Sequence, residues 1–216
     1  MCPLGEKLKL AGVSECLRMR LSLDHGNRIH INTLSLRLER RFAHRLGFLA
    51  GYTIGDAKQF SGANFGPAQP VDAADKFNSL DLGPLENDVR HRFTANVIYT
   101  LPYEFNVSSI VTANSAPPYD HTTGRDDNLD FIRNDRPAGV RYNALRGDRY
   151  FQMDLRLSKK FSFDDTRNVE FLWEMFNMLN TANLSNFNGN EQSSTFRKAR
   201  AALTPFQAQL GLKLLF

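Results

Sequence analysis

The eleven residues 206–216, FQAQLGLKLLF, alternate in polarity. Phe206, Ala208, Leu210, Leu212, Leu214 and Phe216 fall on one parity, Gln207, Gln209, Gly211 and Lys213 on the other, and Leu215 alone breaks the pattern. Successive side chains of a β-strand point to opposite faces, so the segment predicts a strand with one apolar and one polar side. An apolar strand face closing on an exposed aromatic is poorly placed in water and well placed against lipid.

The same parity recurs along the chain and gives seven candidate strands. They cover residues 33–40, 46–54, 91–101, 105–115, 150–161, the stretch around 169–175, and 206–216. Their apolar sides carry Leu34, Leu36 and Leu38; Phe48 and Tyr52; Phe93, Val97 and Tyr99; Phe105 and Val107; Phe151, Met153, Leu155 and Leu157; and Val169, Phe171 and Trp173. Their other sides carry Arg37, Glu39, Arg92, Asp154, Arg156, Glu170, Glu174 and Lys213, the candidate lumen-lining charges. Both signs are interspersed, which favours cross-strand pairing over a substrate track; Arg156 and Glu170 are an expected pair. The connections alternate between short turns and long polar loops, the latter at about 55–90, 116–149 and 180–205. Short turns at one end and long loops at the other are the pattern of an outer-membrane barrel, whereas long structureless loops are uncommon in soluble domains.

Composition is compatible with that reading. Hydrophobic residues make up 42% of the 216, and no apolar run approaches the roughly 18 residues of a membrane helix, so a closed sheet is the membrane-spanning route left. Phe is abundant at 17 copies, against 6 Tyr and 1 Trp, and aromatics serve as girdles at membrane boundaries. The net charge of +4 is scattered rather than clustered with stacking aromatics, so no nucleic-acid partner is expected. Cys2 and Cys16 both lie near the start, and nothing after them calls for a disulfide or thiolate site. Residues 1–24 lack the apolar core of a signal peptide, being interrupted by Glu6, Lys7, Lys9, Glu15, Arg18 and Arg20. They are read as an atypical head outside the barrel proper, which spans 25–216.

Specific strings join the alternation. Asn32-Thr33-Leu34-Ser35-Leu36, Glu39-Arg40-Arg41-Phe42 and Phe48-Leu49-Ala50-Gly51-Tyr52-Thr53 resemble late barrel strands of TonB-dependent outer-membrane receptors of the Oar-like branch. Asp88-Val89-Arg90-His91-Arg92-Phe93 is similar to that family's strand-entry motif. Thr122 to Asn128 and Asn134-Asp135-Arg136-Pro137 resemble its long-loop signature, and Phe176-Asn177-Met178-Leu179-Asn180 its FNLLN element. The resemblance implies an all-β fold: an antiparallel transmembrane β-barrel segment supplying about seven strands of a barrel of about 22, in the cell outer membrane. It implies transport of a large or scarce solute powered through the TonB complex. The plug and the remaining strands would be partners supplied from outside this sequence, because seven strands with two open edges leave backbone groups unsatisfied in lipid. The sequence is therefore expected to be a gene fragment or a piece of a split receptor that neither inserts stably nor transports by itself.

Leu210, Leu212, Leu214 and Phe216 look like the signal read by the barrel-assembly machinery through strand addition. Asp126, Asn128 and Asp130 fit the D-x-N-x-D start of a calcium loop. Phe131 stands where the sharp-turn Gly belongs and Pro137 where the bidentate Glu belongs, so an EF-hand is excluded. A looser calcium site competes with a solvated acidic loop, which is favoured, and no other cofactor is expected. Arg146-Gly147-Asp148 is an adhesion-type tripeptide that reads better as a turn closing a loop. The five His are not spaced as ligands, and no catalytic constellation points to an enzyme. Two alternatives stand beside transport: a structural or adhesive surface protein that displays loops on the barrel, and a soluble β-sandwich.

Overall fold

The structure is a computed structural model that describes residues 7–10, 13–25, 29–60, 71, 78–164 and 167–216. Among the described residues fourteen strands follow in order: β1 (Lys7–Leu10), β2 (Val13–His25), β3 (Ile29–Ala43), β4 (Leu46–Phe60), β5 (Leu82–Pro84), β6 (His91–Thr100), β7 (Phe105–Asn114), β8 (Pro118–Tyr119), β9 (Leu145–Arg146), β10 (Tyr150–Ser162), β11 (Asn168–Phe176), β12 (Leu184–Phe187), β13 (Ala199–Ala202) and β14 (Gln207–Leu215). Among the described residues no helix is long and apolar enough to cross a membrane.

One antiparallel sheet dominates, in the order β1-β2-β3-β4-β6-β7-β10-β11-β14, with β5 added beside β4. Every neighbour on this path is the next long strand in sequence, an up-and-down meander in which β1 and β14 form the two ends. The seven strands expected from parity are all present as β3, β4, β6, β7, β10, β11 and β14. Two more precede them: β2 pairs with β3 from Glu15↔Arg40 to His25↔His30, and β1 pairs with β2. The side chains of these two strands, and residues 1–6 and 11–12, lie outside the described residues, and with them Cys2, Cys16 and the character expected of the head.

Register sorts the side chains into two sets, because residues directly opposite in an antiparallel ladder share a face. Tyr52↔Phe93, Phe93↔Ala113 and Phe151↔Ala113 form one apolar row. Tyr99↔Val107, Leu157↔Val107, Leu157↔Trp173 and Trp173↔Leu210 form another. The polar parity lies behind them: Ser35↔Thr53 and Thr53↔Arg92, then Arg156↔Glu174 and Glu174↔Gln209. Among the described residues the apolar face meets no second layer. Leu212 is 56% exposed, Phe171 54% and Val97 39%. Among the described residues the buried hydrophobics are only Tyr142 and Met175. A soluble sandwich needs a packed partner for such a face, and among the described residues this sheet has none.

The ends of the sheet differ. At one rim the turns are tight: β3 and β4 are joined through His44 and Arg45, both with positive φ (51° and 69°), as in a type I′ hairpin. The ladder slips between Arg40 and Ala43, so β3 runs past the expected end at residue 40. At the other rim lie the three long loops, and they are not structureless. The segment after residue 54 continues as β4 to Phe60 and returns as β5; residues 61–70 and 72–77 lie outside the described residues. The second loop folds back as the β8–β9 ribbon and the third as the β12–β13 ribbon. Polarity of composition hid these ribbons, since their pairing joins residues far apart in sequence.

Candidate functional site

Two polar regions qualify: the charged face of the sheet and the layer built by the long loops. On the sheet, all eight predicted lumen-lining residues share one face by register. They divide into local pairs rather than one cluster. Arg37 Nη2 donates to Glu39 Oε2 at 2.9 Å, two residues along the same strand. Arg156 Nη1 lies 3.6 Å from Glu174 Oε1, its directly opposite residue. That corrects the expected Arg156–Glu170 pair: Glu170 stands opposite Lys160 and Lys213, four positions farther along the ladder. Gln209 Nε2 also donates to Glu174. Asp154 accepts from Gln152 Nε2 at 2.8 Å and from the Asn177 backbone N–H at 2.9 Å, while Arg92 donates to the Asn87 carbonyl at 3.0 Å. The face also holds Leu49, Ile98, Ile110 and Leu172, so it is wet but not uniformly polar.

The loop layer is built around Arg136. Its guanidinium donates through Nη1 to Asp81 Oδ1 at 2.7 Å and through Nε to both oxygens of Asp120 at 2.9 and 3.0 Å. The side chains of Arg136 and Asp81 are only 3% and 1% exposed. Arg136 also stacks over the Tyr142 ring, 5.1 Å from its centroid. Asp120 Oδ1 accepts in addition from the backbone N–H groups of His121 and Asn143, both at 3.1 Å. Burial pushes the Asp120 carboxyl above its ordinary range, and the charge of Arg136 acts against that shift. Burial, then the neighbouring Glu86 charge, raises the Tyr142 phenol to about 12, so it stays protonated and donates to Glu86 Oε1 at 3.2 Å.

Two glycines permit this closeness. A Cβ on Gly83 would lie 1.8 Å from the Tyr142 carbonyl oxygen, and one on Gly189 would lie 1.7 Å from that of Asp120. Any side chain at either position would drive the loops apart. The third loop joins the second through the Thr122–Asn190 bridge and through stacked Tyr119 and Phe187 rings with centroids 5.6 Å apart.

The remaining motifs find specific places. Arg146 of the tripeptide donates to Asp88 Oδ2 at 2.6 Å and to the carbonyls of Asp88 and Ala116 at 3.0 and 2.9 Å. Its guanidinium is thus committed inside the loop layer, and in place of the expected turn Arg146 ends strand β9 and leads through residues 147–149 into β10. In the D-x-N-x-D segment, Asp126 accepts from the N–H groups of Asp130 and Phe131 at 3.0 and 2.9 Å, and Asp130 from that of Ile132 at 2.8 Å. Asn128 Oδ1 accepts from the Asp130 N–H at 3.1 Å. These oxygens serve their own backbone. Among the described residues, no group of three or more His, Cys, Asp or Glu side chains is placed to hold a metal. Asn177, from the FNLLN-like string, is buried and donates to the carbonyls of Thr181 and Thr204 at 3.0 and 3.1 Å, tying β11 to the approach of β14.

Leu210, Leu212 and Leu214 lie on the apolar face of the end strand β14, opposite Trp173, Phe171 and Val169, with Phe216 just beyond. Asp81, Asp120, Tyr142 and Asn143 were not anticipated. Asp88, Asp135, Arg136 and Asn177 had a signal, since each sits within a string that resembles a known family, but nothing in the sequence paired them with their partners.

Residues 18–141 and 138–209 match the family described as outer membrane beta barrel domain. No curated protein matches the chain.

Proposed function

The chain belongs to the outer membrane beta barrel domain family and resides in the outer membrane, and from that premise we propose that it forms the C-terminal barrel portion of a TonB-dependent, Oar-like receptor. Its task is then to help enclose a lumen through which a large or scarce solute passes, as a transporter and not as an enzyme. The observation that carries this reading is where the receptor-like strings fall. Asp88, Asp135, Arg136 and Asn177 each belong to such a string, and each side chain is buried and hydrogen-bonded, Asp88 and Asn177 where loops meet strands and Asp135 and Arg136 within the loop layer. The sheet ends at β1 and β14 support a larger barrel, since in lipid their edge N–H and C=O groups require further strands. The plug, those strands, the barrel-assembly machinery and the TonB complex are the partners this reading requires.

A strain lacking the gene is expected to grow poorly on at least one scarce solute, such as a siderophore-bound metal or a glycan. Removing TonB from the wild-type strain should reproduce that defect. Equal growth on every scarce solute tested, with and without the gene, would contradict transport.

The second reading is a surface protein that displays its loops. The tightly packed loop layer favours it, because a rigid platform suits presentation. The DNA upstream separates the two: a plug with a TonB box goes with transport, and its absence with display.

A further inference from the structure

The apolar face carries a charge that transport does not use. Lys159 falls on the lipid-facing parity of β10, opposite Phe105 of β7 and Phe171 of β11. On that face of β7, β10, β11 and β14 it is the only basic residue, and no carboxylate shares the face. It lies three residues from the end of β10, at the short-turn rim, which is the periplasmic side of an outer-membrane barrel. Its ammonium sits 4.5 Å from the Phe105 ring centroid and 5.3 Å from that of Phe161, and one of its protons goes to the Tyr103 carbonyl. An ammonium has three donors, so two remain. Aromatic faces hold the cation down on the sheet when it would otherwise extend to water.

Beside Lys159 lies a groove of about 600 Å³, lined by Val107, Leu157, Trp173, Leu210 and Leu212. A cation at the mouth of an apolar trough complements one kind of molecule: an anion with a long apolar tail. We propose that this groove seats an anionic glycerophospholipid of the periplasmic leaflet, its phosphate on Lys159 and one acyl chain along Leu157, Trp173 and Leu212. The seat rests on the barrel reading and is independent of transport. It places the site between the last three long strands, where one lipid staples β10, β11 and β14.

Trp173 is the only tryptophan of the chain and lines the groove, so it reports occupancy directly. The intact barrel, with Trp173 kept as its sole tryptophan, is reconstituted in phosphatidylcholine vesicles. These contain brominated phosphatidylglycerol or, at the same mole fraction, brominated phosphatidylcholine. The expected result is quenching several-fold stronger by the brominated anionic lipid. In Lys159→Gln that preference should vanish while quenching by brominated phosphatidylcholine persists, and Lys159→Arg should restore it. Equal quenching by the two lipids in the wild type, or a preference that survives in Lys159→Gln, would overturn the seat and leave the lipid-facing sheet intact. Absence of quenching by either lipid would overturn the seat and the lipid-facing assignment together.

Discussion

Arg136 lies between two carboxylates, Asp81 and Asp120, with almost no water to share its charge. Removing one partner from a buried ion pair leaves the others uncompensated, which costs about 3–5 kcal/mol. Arg136→Ala is therefore expected to loosen the loops without opening the sheet. Protease digestion of intact membranes should cut within residues 116–149 in the variant and not in the wild type, while the barrel keeps its heat-modifiable migration. Asp120 adds a pH dependence. Its folded carboxyl titrates above the ordinary value of 3.8 because it is buried, so between those two values the folded state binds more protons than the unfolded one. Its contribution then makes stability fall as pH rises through that window, opposite in sign to a carboxylate held below its usual range. Hydrogen exchange of the loop amides should show this slope in the wild type and a reduced one in Asp120→Asn; an unchanged slope would contradict the assignment.

Strands show how two faces with different solvents shape a sequence. In β11 and β14, Trp173↔Leu210 and Phe171↔Leu212 alternate with Glu174↔Gln209 and Glu170↔Lys213. This alternation was legible in advance because a half-lipid, half-water strand writes its period of two into every residue. Strand ends were less legible: β3 reaches Ala43 through a bulge and β4 reaches Phe60, since neither stretch keeps the parity that marks the membrane-spanning part. On β14, Leu210→Arg, one same-face position farther from the short-turn rim than Leu212 and 83% exposed, places a charge in lipid and should cost up to the about 2–4 kcal/mol of the midplane. Gln209→Arg, beside Glu174, should be close to neutral; urea unfolding in liposomes distinguishes the two. Deleting Phe216 should slow assembly in cells without changing the stability of barrel already formed, and assembly at the wild-type rate would remove the proposed signal.

Across the whole molecule the usual distribution of polarity is reversed. The most buried side chains include Asp81, Asp88, Asp135, Asn143, Asn177 and Asn183, nearly all in or beside the loop layer, while Leu, Phe and Trp cover the outside of the strands. In water such a protein would expose its apolar surface and have little apolar core. In a membrane each part has its solvent: lipid for the strands, and a hydrogen-bond network of their own for the loops. The sheet was readable from the sequence because its rule is local. The loop network was not, because Asp81 and Arg136 are 55 residues apart and Asp88 and Arg146 are 58, and no local pattern announces partners at that distance.

Everything rests on lipid covering the apolar parity. The direct measurement is a nitroxide scan along β11 in the reconstituted barrel, one label at each position from Val169 to Glu174. Labels at Val169, Phe171 and Trp173 should collide with oxygen dissolved in the bilayer, and labels at Glu170, Leu172 and Glu174 with a water-soluble nickel chelate, giving two profiles of period two in opposite phase. Protection of Phe171 and Trp173 from both reagents would place them in a protein core and contradict the account.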